Sequence, residues 1–243
     1  MQQEGFASKI NPKVNTIWRY AAWYDCFIPK DQQLSLGEGD TKLQEILTAS
    51  GGKVYFKRED QNPTGSHKAR SVAYRLSLLR QQGKAKAVIS SSGNAALAVA
   101  AYGVLTGIDY YILVSPDTQI GKLAKLAELA SGCSRLHLAV SSRAMRFANY
   151  LSAKHGMANL RPSLDDEALV GFESIAYELY EQWQSQGEQH LGHIFTLSSS
   201  GSSLLGIKQG FDRLVQSGSL SSVPAPVSYT HLRAHETVLD LVC

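Results

Sequence analysis

The sequence predicts an α/β protein with two lobes, each a mostly parallel sheet flanked by helices. Short β-rich runs alternate with amphipathic segments of helical period along most of the chain. Successive β-rich runs are separated by one helical segment, which is the arrangement that connects parallel strands. A length of 243 residues leaves room for two lobes, since domains commonly have ~100–150 residues.

The individual elements follow from the same patterns. Each predicted strand is a short β-rich run, and each predicted helix has apolar side chains three and four positions apart, such as Val72, Leu76 and Leu79. The first strand covers 53–59 and is followed by a helix that starts near His67. The remaining predicted strands cover 85–91, 109–115, 135–140 and 193–200, and the remaining helices cover 93–107, 120–132, 141–156, 171–187 and 202–218.

The order of the elements also divides the chain into parts. Residues 1–34 are aromatic and irregular, so they are expected to pack as an extension over the core. Burial is the expected role of Trp18, Trp23 and Tyr24 in that extension. The predicted larger lobe consists of 35–84 and 157–226, and the predicted smaller lobe consists of 85–156.

Composition excludes several classes of protein. A hydrophobic content of 44% and a charged content of 19% are those of an ordinary soluble globular protein. The net charge of +3 comes from scattered basic residues, so no nucleic-acid partner is expected. The longest apolar stretch is shorter than the ~20 residues of a membrane helix, and the N-terminus lacks the plan of a signal peptide. Cys26, Cys133 and Cys243 show neither metal-ligand spacing nor an even disulfide framework, which favours a reduced, cytoplasmic setting.

The stretch "QNPTGSHKAR" (61–70) places basic residues where a helix begins. Pro63-Thr64-Gly65 predicts a tight turn, and the Ser66 hydroxyl is a candidate N-cap. Lys68 and Arg70 then lie in the first helical turn, where the positive end of the helix dipole makes cations unfavourable. Either these are solvated surface charges on a capped helix, or the lysine has a chemical role.

Two further loops join a strand to a helix and are rich in serine and glycine. They are "SSSGNAA" (90–96) and "SSSGSSLLG" (198–206). Backbone N–H groups at such a helix start can bind an anion, a carboxylate in the first loop or a phosphate in the second. Each loop alone is more commonly a plain turn. Their order after the lysine is the informative feature.

That order resembles the pyridoxal-phosphate (PLP) enzymes of the tryptophan-synthase-β superfamily, fold type II, and within it most closely the threonine synthases. The resemblance covers roughly residues 18 to 216 and is specific because a Ser/Gly loop with asparagine follows the lysine motif. The matching words are "SLGEGDTKL" (35–43), "VYFKREDQNPTGSHKAR" (54–70), "SSSGNAALAVAAY" (90–102), "GFESIAYELYEQ" (171–182) and "SSSGSSLLGIKQGF" (198–211).

The resemblance implies a role for each of these sites. Lys68 would form the imine with the aldehyde of pyridoxal 5'-phosphate, and a helix start that disfavours the ammonium form would assist it. Asn94 would bind the cofactor's ring hydroxyl. The substrate carboxylate would lie on Ser91, Ser92 and Gly93, and the cofactor phosphate on Ser200, Gly201, Ser202 and Ser203. The larger lobe would thus bind the cofactor and the smaller lobe the substrate.

The implied activity is that of a PLP-dependent lyase acting on an amino acid with a β- or γ-leaving group. In the threonine synthase version, O-phosphohomoserine gives threonine plus phosphate. Threonine or serine dehydration and cysteine synthase-like replacement are alternatives, as is a non-catalytic phosphate-binding α/β fragment. The sequence departs from the family at His67, where an aromatic residue is usual, at Lys42, where proline is common, and in its serine-rich phosphate loop. These departures bear on which substrate the protein uses more than on whether it uses the cofactor.

The end of the chain departs from the family more strongly. The resemblance implies one more strand–helix segment, carrying a Ser or Thr hydroxyl for the cofactor's ring nitrogen, beyond this sequence. Residues 227–243, "VSYTHLRAHETVLDLVC", instead resemble translated sequencing-adapter read-through, with a genuine short amphipathic helix as the alternative. The expectation is a C-terminally truncated chain, inactive by itself, whose full-length form is a homodimer.

Overall fold

The computed structural model describes residues 5–187, 191–197, 200–229 and 241–242. These residues form two compact units that are each discontinuous in sequence. The described residues within 1–27, 37–70 and 169–243 form the first unit, and those within 28–36 and 71–168 form the second. No helix among the described residues has the length and the apolar run that crossing a membrane requires.

The second unit contains a four-stranded parallel sheet. Its strand order is β5-β4-β3-β6, with Lys86 opposite Asp109 at the start of the central β3–β4 pair. The apolar runs of β3 and β4 are buried, as expected for strands covered by helices. The strands are β3 (Lys86–Ser90), β4 (Asp109–Val114), β5 (Leu136–Val140) and β6 (Ala158–Asn159), and the helices are α2 (Asn94–Gly103), α3 (Ile120–Ser131) and α4 (Ala144–His155).

The first unit combines two small sheets with two long helices. Strands β1 and β2 pair antiparallel, while β7 pairs parallel with β8 and antiparallel with β9. The elements are β1 (Leu43–Leu47), β2 (Lys53–Lys57), α5 (Leu169–Ser185), β7 (His193–Leu197), α6 (Ser202–Gln216), β8 (Ala225–Tyr229) and β9 (Leu241–Val242). Helix α1 (Lys68–Gln81) begins in this unit, at the stretch that the sequence singled out.

Helices α5 and α6 approach each other very closely. A Cβ atom added at Gly206 would lie 2.5 Å from the carbonyl oxygen of Leu169 and 2.7 Å from Cβ of Phe172. One added at Gly210 would lie 2.8 Å from the carbonyl oxygen of Glu173. Both glycines are therefore required by contact between the helices rather than by backbone conformation.

Short 3₁₀ helices carry the N-terminal aromatic residues. Trp18, Trp23 and Tyr24 are 6%, 7% and 7% exposed, so their expected burial is confirmed. The rings of Trp23 and Tyr24 pack on Tyr177 of α5, with centroids 5.4 and 6.4 Å apart, and Trp18 packs on Tyr24. The 3₁₀ helices of the described chain cover Phe6–Lys9, Ile17–Trp23, Lys30–Gln32, Glu59–Gln61 and Asp166–Ala168.

The α/β class with parallel strands flanked by helices is confirmed, and each predicted helix and strand is present with small changes at its ends. Strands β1, β6, β8 and β9 are not among the predicted ones. The sequence of β1, "LQEIL", lacks a period of two, and its last three residues are exposed, so the hydrophobic signal of a strand is weak there. Part of the predicted strand 193–200 and most of the 227–243 tail lie outside the described residues.

The predicted lobe boundaries, 35–84 with 157–226 against 85–156, stay a prediction. By contact within the described residues, 71–84 and 157–168 group with the second unit. Two interactions account for this grouping. Strand β6 pairs with β3, and Nε of Arg75 lies 2.9 Å from both carboxylate oxygens of Asp165.

Candidate active site

The predicted turn before α1 is present. The amide of Gly65 donates to the carbonyl oxygen of Asn62 at 2.8 Å, and Gly65 has a φ of +72°. The prediction that Ser66 caps the helix is wrong. Its hydroxyl is buried and has no hydrogen-bond partner. The reason is that the first helical residue is Lys68, so His67 rather than Ser66 occupies the capping position.

The side chain of Lys68 is half-buried and meets two rings. Its Nζ lies 2.6 Å from Nε2 of His67 and 5.1 Å from the ring centroid of Phe172 on α5. Burial, followed by the charges of Lys68 and Arg70, lowers the pKa of His67 well below its usual value. The imidazole beside the lysine is therefore neutral at physiological pH.

Arg70 is fully buried, so its interpretation as a solvated surface charge is wrong. Its guanidinium makes a bidentate contact with Glu59, Nε to Oε2 at 2.7 Å and Nη2 to Oε1 at 2.6 Å. Nη1 also donates to Oε2 of Glu178 at 2.9 Å. A planar fork of donors matches a carboxylate in this way. Arg70 thus fixes the start of α1 against two other segments.

Glu178 is the centre of the surrounding network. It pairs with Lys57 and Arg70, and accepts hydrogen bonds from the backbone amides of Asp40 and Thr41, each at 2.9 Å. Burial alone would raise the pKa of Glu178, but the charges of Arg70 and Lys57 outweigh it and hold the pKa well below its usual value. Two buried cations face two buried carboxylates, so the charges are balanced.

The loop at the start of α2 has the expected form. Gly93 precedes the first helical residue, Asn94, and no side chain caps the helix there. The Ser91 hydroxyl accepts a hydrogen bond from the Gly93 amide at 3.3 Å, which folds the loop back on itself. Ser92 is exposed, and Asn94 is half-buried. A helix start can offer its first amides to an anion, although here the Ala96 amide donates to the carbonyl oxygen of Gly93 at 3.2 Å.

The loop at the start of α6 has a different backbone. Gly201 takes a left-handed conformation, with φ +76°, and no side chain caps the helix. The hydroxyls of Ser200 and Ser202 lie 3.0 Å apart, and Ser202 and Ser203 are each 5% exposed. At the preceding strand, the hydroxyl of Thr196 is buried without a hydrogen-bond partner. Ser198 and Ser199 lie outside the described residues.

The predicted site residues are divided between the two units. Lys68 and Ser200–Ser203 belong to the first unit, and Ser91–Asn94 belong to the second. Sequence reasoning missed the contact between His67 and Lys68 and the partners of Arg70. The only sequence signal for that contact was the unusual histidine before the lysine.

Most of the chain matches a known protein family. The family model described as pyridoxal-phosphate dependent enzyme matches residues 34–226, most of the chain. The chain belongs to this family. Its members depend on pyridoxal phosphate, so the predicted cofactor and the predicted family are confirmed.

The chain is similar in sequence to two threonine synthases and in fold to an ammonia lyase. The chain is 37% identical over 111 residues to a threonine synthase of Halalkalibacterium halodurans, covering 43% of this chain and 31% of that protein. It is 30% identical over 175 residues to a threonine synthase of a Bacillus species, covering 67% and 47%. The apo structure of diaminopropionate ammonia lyase from Escherichia coli superposes with a TM-score of 0.68 at 15% identity, covering 82% of this chain and 61% of that one. The chain thus spans less than half the length of both threonine synthases.

Proposed function

We propose that the full protein is a PLP-dependent lyase that acts on an amino acid by β- or γ-elimination or replacement, with Lys68 as the lysine that binds the cofactor aldehyde. The observation that supports this role most directly is the placement of its amine, at a helix start and 2.6 Å from a neutral imidazole. An amine in that setting has a neighbour able to exchange hydrogen-bond roles as the amine gains or loses a proton.

The residues of the first unit fit the cofactor's donor and acceptor requirements. Ser202, Ser203 and the uncapped amides of α6 offer neutral donors for a phosphate, and the left-handed Gly201 lets the backbone approach it closely. The unpartnered hydroxyl of Thr196 is a further donor in the same unit. When bound, PLP supplies an electron sink for charge that develops at the substrate's α-carbon.

The second unit would bind the substrate. The serine hydroxyls of the loop Ser91–Gly93 would donate to an α-carboxylate, and the side-chain amide of Asn94 offers both donors and an acceptor for the cofactor's ring hydroxyl. Once the substrate's amine has taken its place, the freed amine of Lys68 would remove and return the proton at the substrate's α-carbon, because it stays next to that carbon.

Within this class we propose a threonine synthase-like reaction, in which O-phosphohomoserine gives threonine plus phosphate. Two threonine synthases among the similar proteins support it. The match to an ammonia lyase supports elimination more generally, so threonine or serine dehydration is the second candidate. Cysteine synthase-like replacement is a further alternative. We also propose a cytoplasmic homodimer for the full-length enzyme, with the cofactor in the larger lobe and the substrate on the smaller one.

The experiment starts from reconstitution of the purified protein with PLP. Reduction with borohydride followed by peptide mapping is expected to find the cofactor on Lys68, and a Lys68→Ala variant is expected to remain unlabelled. Lys57 is the matched control, because it also belongs to the first unit but forms an ion pair with Glu178. Cofactor on Lys57 would contradict the assignment of Lys68, and no visible absorbance on mixing would favour the non-catalytic phosphate-binding fragment. Product analysis of the full-length protein with O-phosphohomoserine, threonine and serine then separates the substrate candidates.

A further inference from the structure

His67 and Lys68, adjacent in sequence, also meet at the ends of their side chains. The 2.6 Å contact joins Nε2 of His67 to Nζ of Lys68. Both groups lie against Phe172, with the His67 ring centroid 5.5 Å and the Lys68 Nζ 5.1 Å from the centroid of that ring. The phenyl ring of Phe172 on α5 thus packs against both side chains.

Helix α6 holds Phe172 in position. Because Gly206 has no side chain, α6 reaches within contact distance of Phe172 and Leu169 at backbone level. Phe172 is fully buried, so its ring has little freedom to move away. The contact between His67 and Lys68 is consequently held from two sides, by the chain connection and by the packing of α5 on α6.

The imidazole can hydrogen-bond the amine either as an acceptor or as a donor. It is neutral, so one ring nitrogen carries a proton and the other does not. Toward an ammonium group Nε2 accepts a hydrogen bond, and toward a neutral amine Nε2 donates one. The remaining nitrogen, Nδ1, is buried and has no hydrogen-bond partner, so no neighbour locks the ring into one tautomer.

We propose that His67 is a positioning residue that hydrogen-bonds the Nζ of Lys68 in both protonation states of the amine. The amine therefore keeps its place when it loses its proton. This inference rests on the proposed role of Lys68. The charged groups nearby are Lys68 itself and Arg70, whose charge is balanced by Glu59 and Glu178, and α5 presents the uncharged ring of Phe172.

Three substitutions separate hydrogen bonding from packing. His67→Phe keeps an aromatic ring against Phe172 but removes both hydrogen-bonding roles. His67→Gln places an amide, which can donate or accept, where Nε2 lies. His67→Asn places the same amide closer to the backbone, at the position of Nδ1, and is the matched control for polarity.

The test uses the cofactor-free protein, so it does not depend on turnover. Lys68 is acetylated with trace acetic anhydride across a range of pH, and its peptide is quantified against that of the exposed Lys84. We expect His67→Phe to lower the pH midpoint of Lys68 acetylation by about one unit, because a charge-assisted hydrogen bond is worth more than a neutral one. His67→Gln is expected to restore the wild-type profile, and His67→Asn is not.

Each acetylation result supports or overturns the hydrogen-bonding role of His67. An unchanged midpoint in His67→Phe would overturn the inference, and so would a changed midpoint that His67→Gln fails to restore, since packing would then explain the effect. If His67→Phe fails to fold, the comparison of glutamine with asparagine makes the same decision. Cofactor mapped to a lysine other than Lys68 would overturn the proposed function while leaving the acetylation profile intact.

Discussion

Arg70 and Glu59 form a bidentate ion pair in which both side chains are at most 1% exposed. The pair joins the start of α1 to the 3₁₀ helix that follows β2, two residues from Lys68. Neither group has access to water as a substitute partner. The stability of the first unit and the geometry of the lysine are therefore linked through this contact.

Removal of the Arg70 guanidinium should destabilise the protein strongly. Arg70→Met leaves Glu59 and Glu178 buried with an uncompensated charge, a loss of about 3–5 kcal/mol in the free energy of unfolding. Arg80→Met is the matched control, since Arg80 lies on the same helix and is exposed, and it should cost less than about 0.5 kcal/mol. Urea denaturation measures both. Equal midpoints for the two variants would contradict the network's structural role.

A methyl group at Gly206 should separate α5 from α6. In Gly206→Ala the new Cβ meets backbone and side-chain atoms at 2.5 and 2.7 Å, so the helices must move apart, at a cost of about 1–3 kcal/mol. Gly121→Ala tests helix propensity alone, because Gly121 lies in α3 with nothing within 4 Å of its added Cβ. That control should be neutral or stabilised by up to about 1 kcal/mol. Thermal unfolding compares the two.

Stability should fall with rising pH through the titration of Glu173. Burial raises the pKa of this carboxyl to about 7, against the lowering effects of Tyr177 and Arg213. The unfolded chain ionises near pH 4.5, so wild-type stability should drop by about 3 kcal/mol between pH 4.5 and 7 and change little above that. Glu173→Gln removes this slope.

Urea denaturation at several pH values measures the Glu173 effect. The exposed Glu128→Gln provides the comparison, because it changes the same charge on α3. If Glu173→Gln and Glu128→Gln show the same dependence on pH, the carboxyl of Glu173 does not titrate in this range.

A negative charge at Gly201 should weaken cofactor binding if the start of α6 holds the phosphate. Gly201→Asp should reduce PLP affinity by about tenfold or more through repulsion between like charges. Gly201→Asn imposes the same side-chain size and the same left-handed backbone without the charge, so it isolates the electrostatic part. Spectroscopic titration measures both variants, and equal affinities would place the phosphate elsewhere.

The repeating parts of the fold could be predicted from the sequence, and the long-range pairings could not. The α2 segment predicts its own helix, because apolar residues of helical period are a local signal. The burial of Arg70 has no local signal, since its partners Glu59 and Glu178 lie 11 and 108 positions away. The Ser66 cap was wrong for a related reason. Whether a helix starts at one residue or the next depends on tertiary packing.

The discontinuity of the first unit has a consequence for synthesis on the ribosome. Residues 37–70 emerge early and include Glu59, one partner of Arg70, but Glu178 of α5, which pairs with both Lys57 and Arg70, emerges about a hundred residues later. Until then Lys57 lacks its carboxylate partner and Arg70 has only one of its two, so the buried charge network of the first unit cannot form. The second unit, continuous from Ser71 to Ala168 apart from one short segment, can assemble its sheet in the meantime. The part of the chain that carries Lys68 is thus translated before residues 71–168 and completed after them.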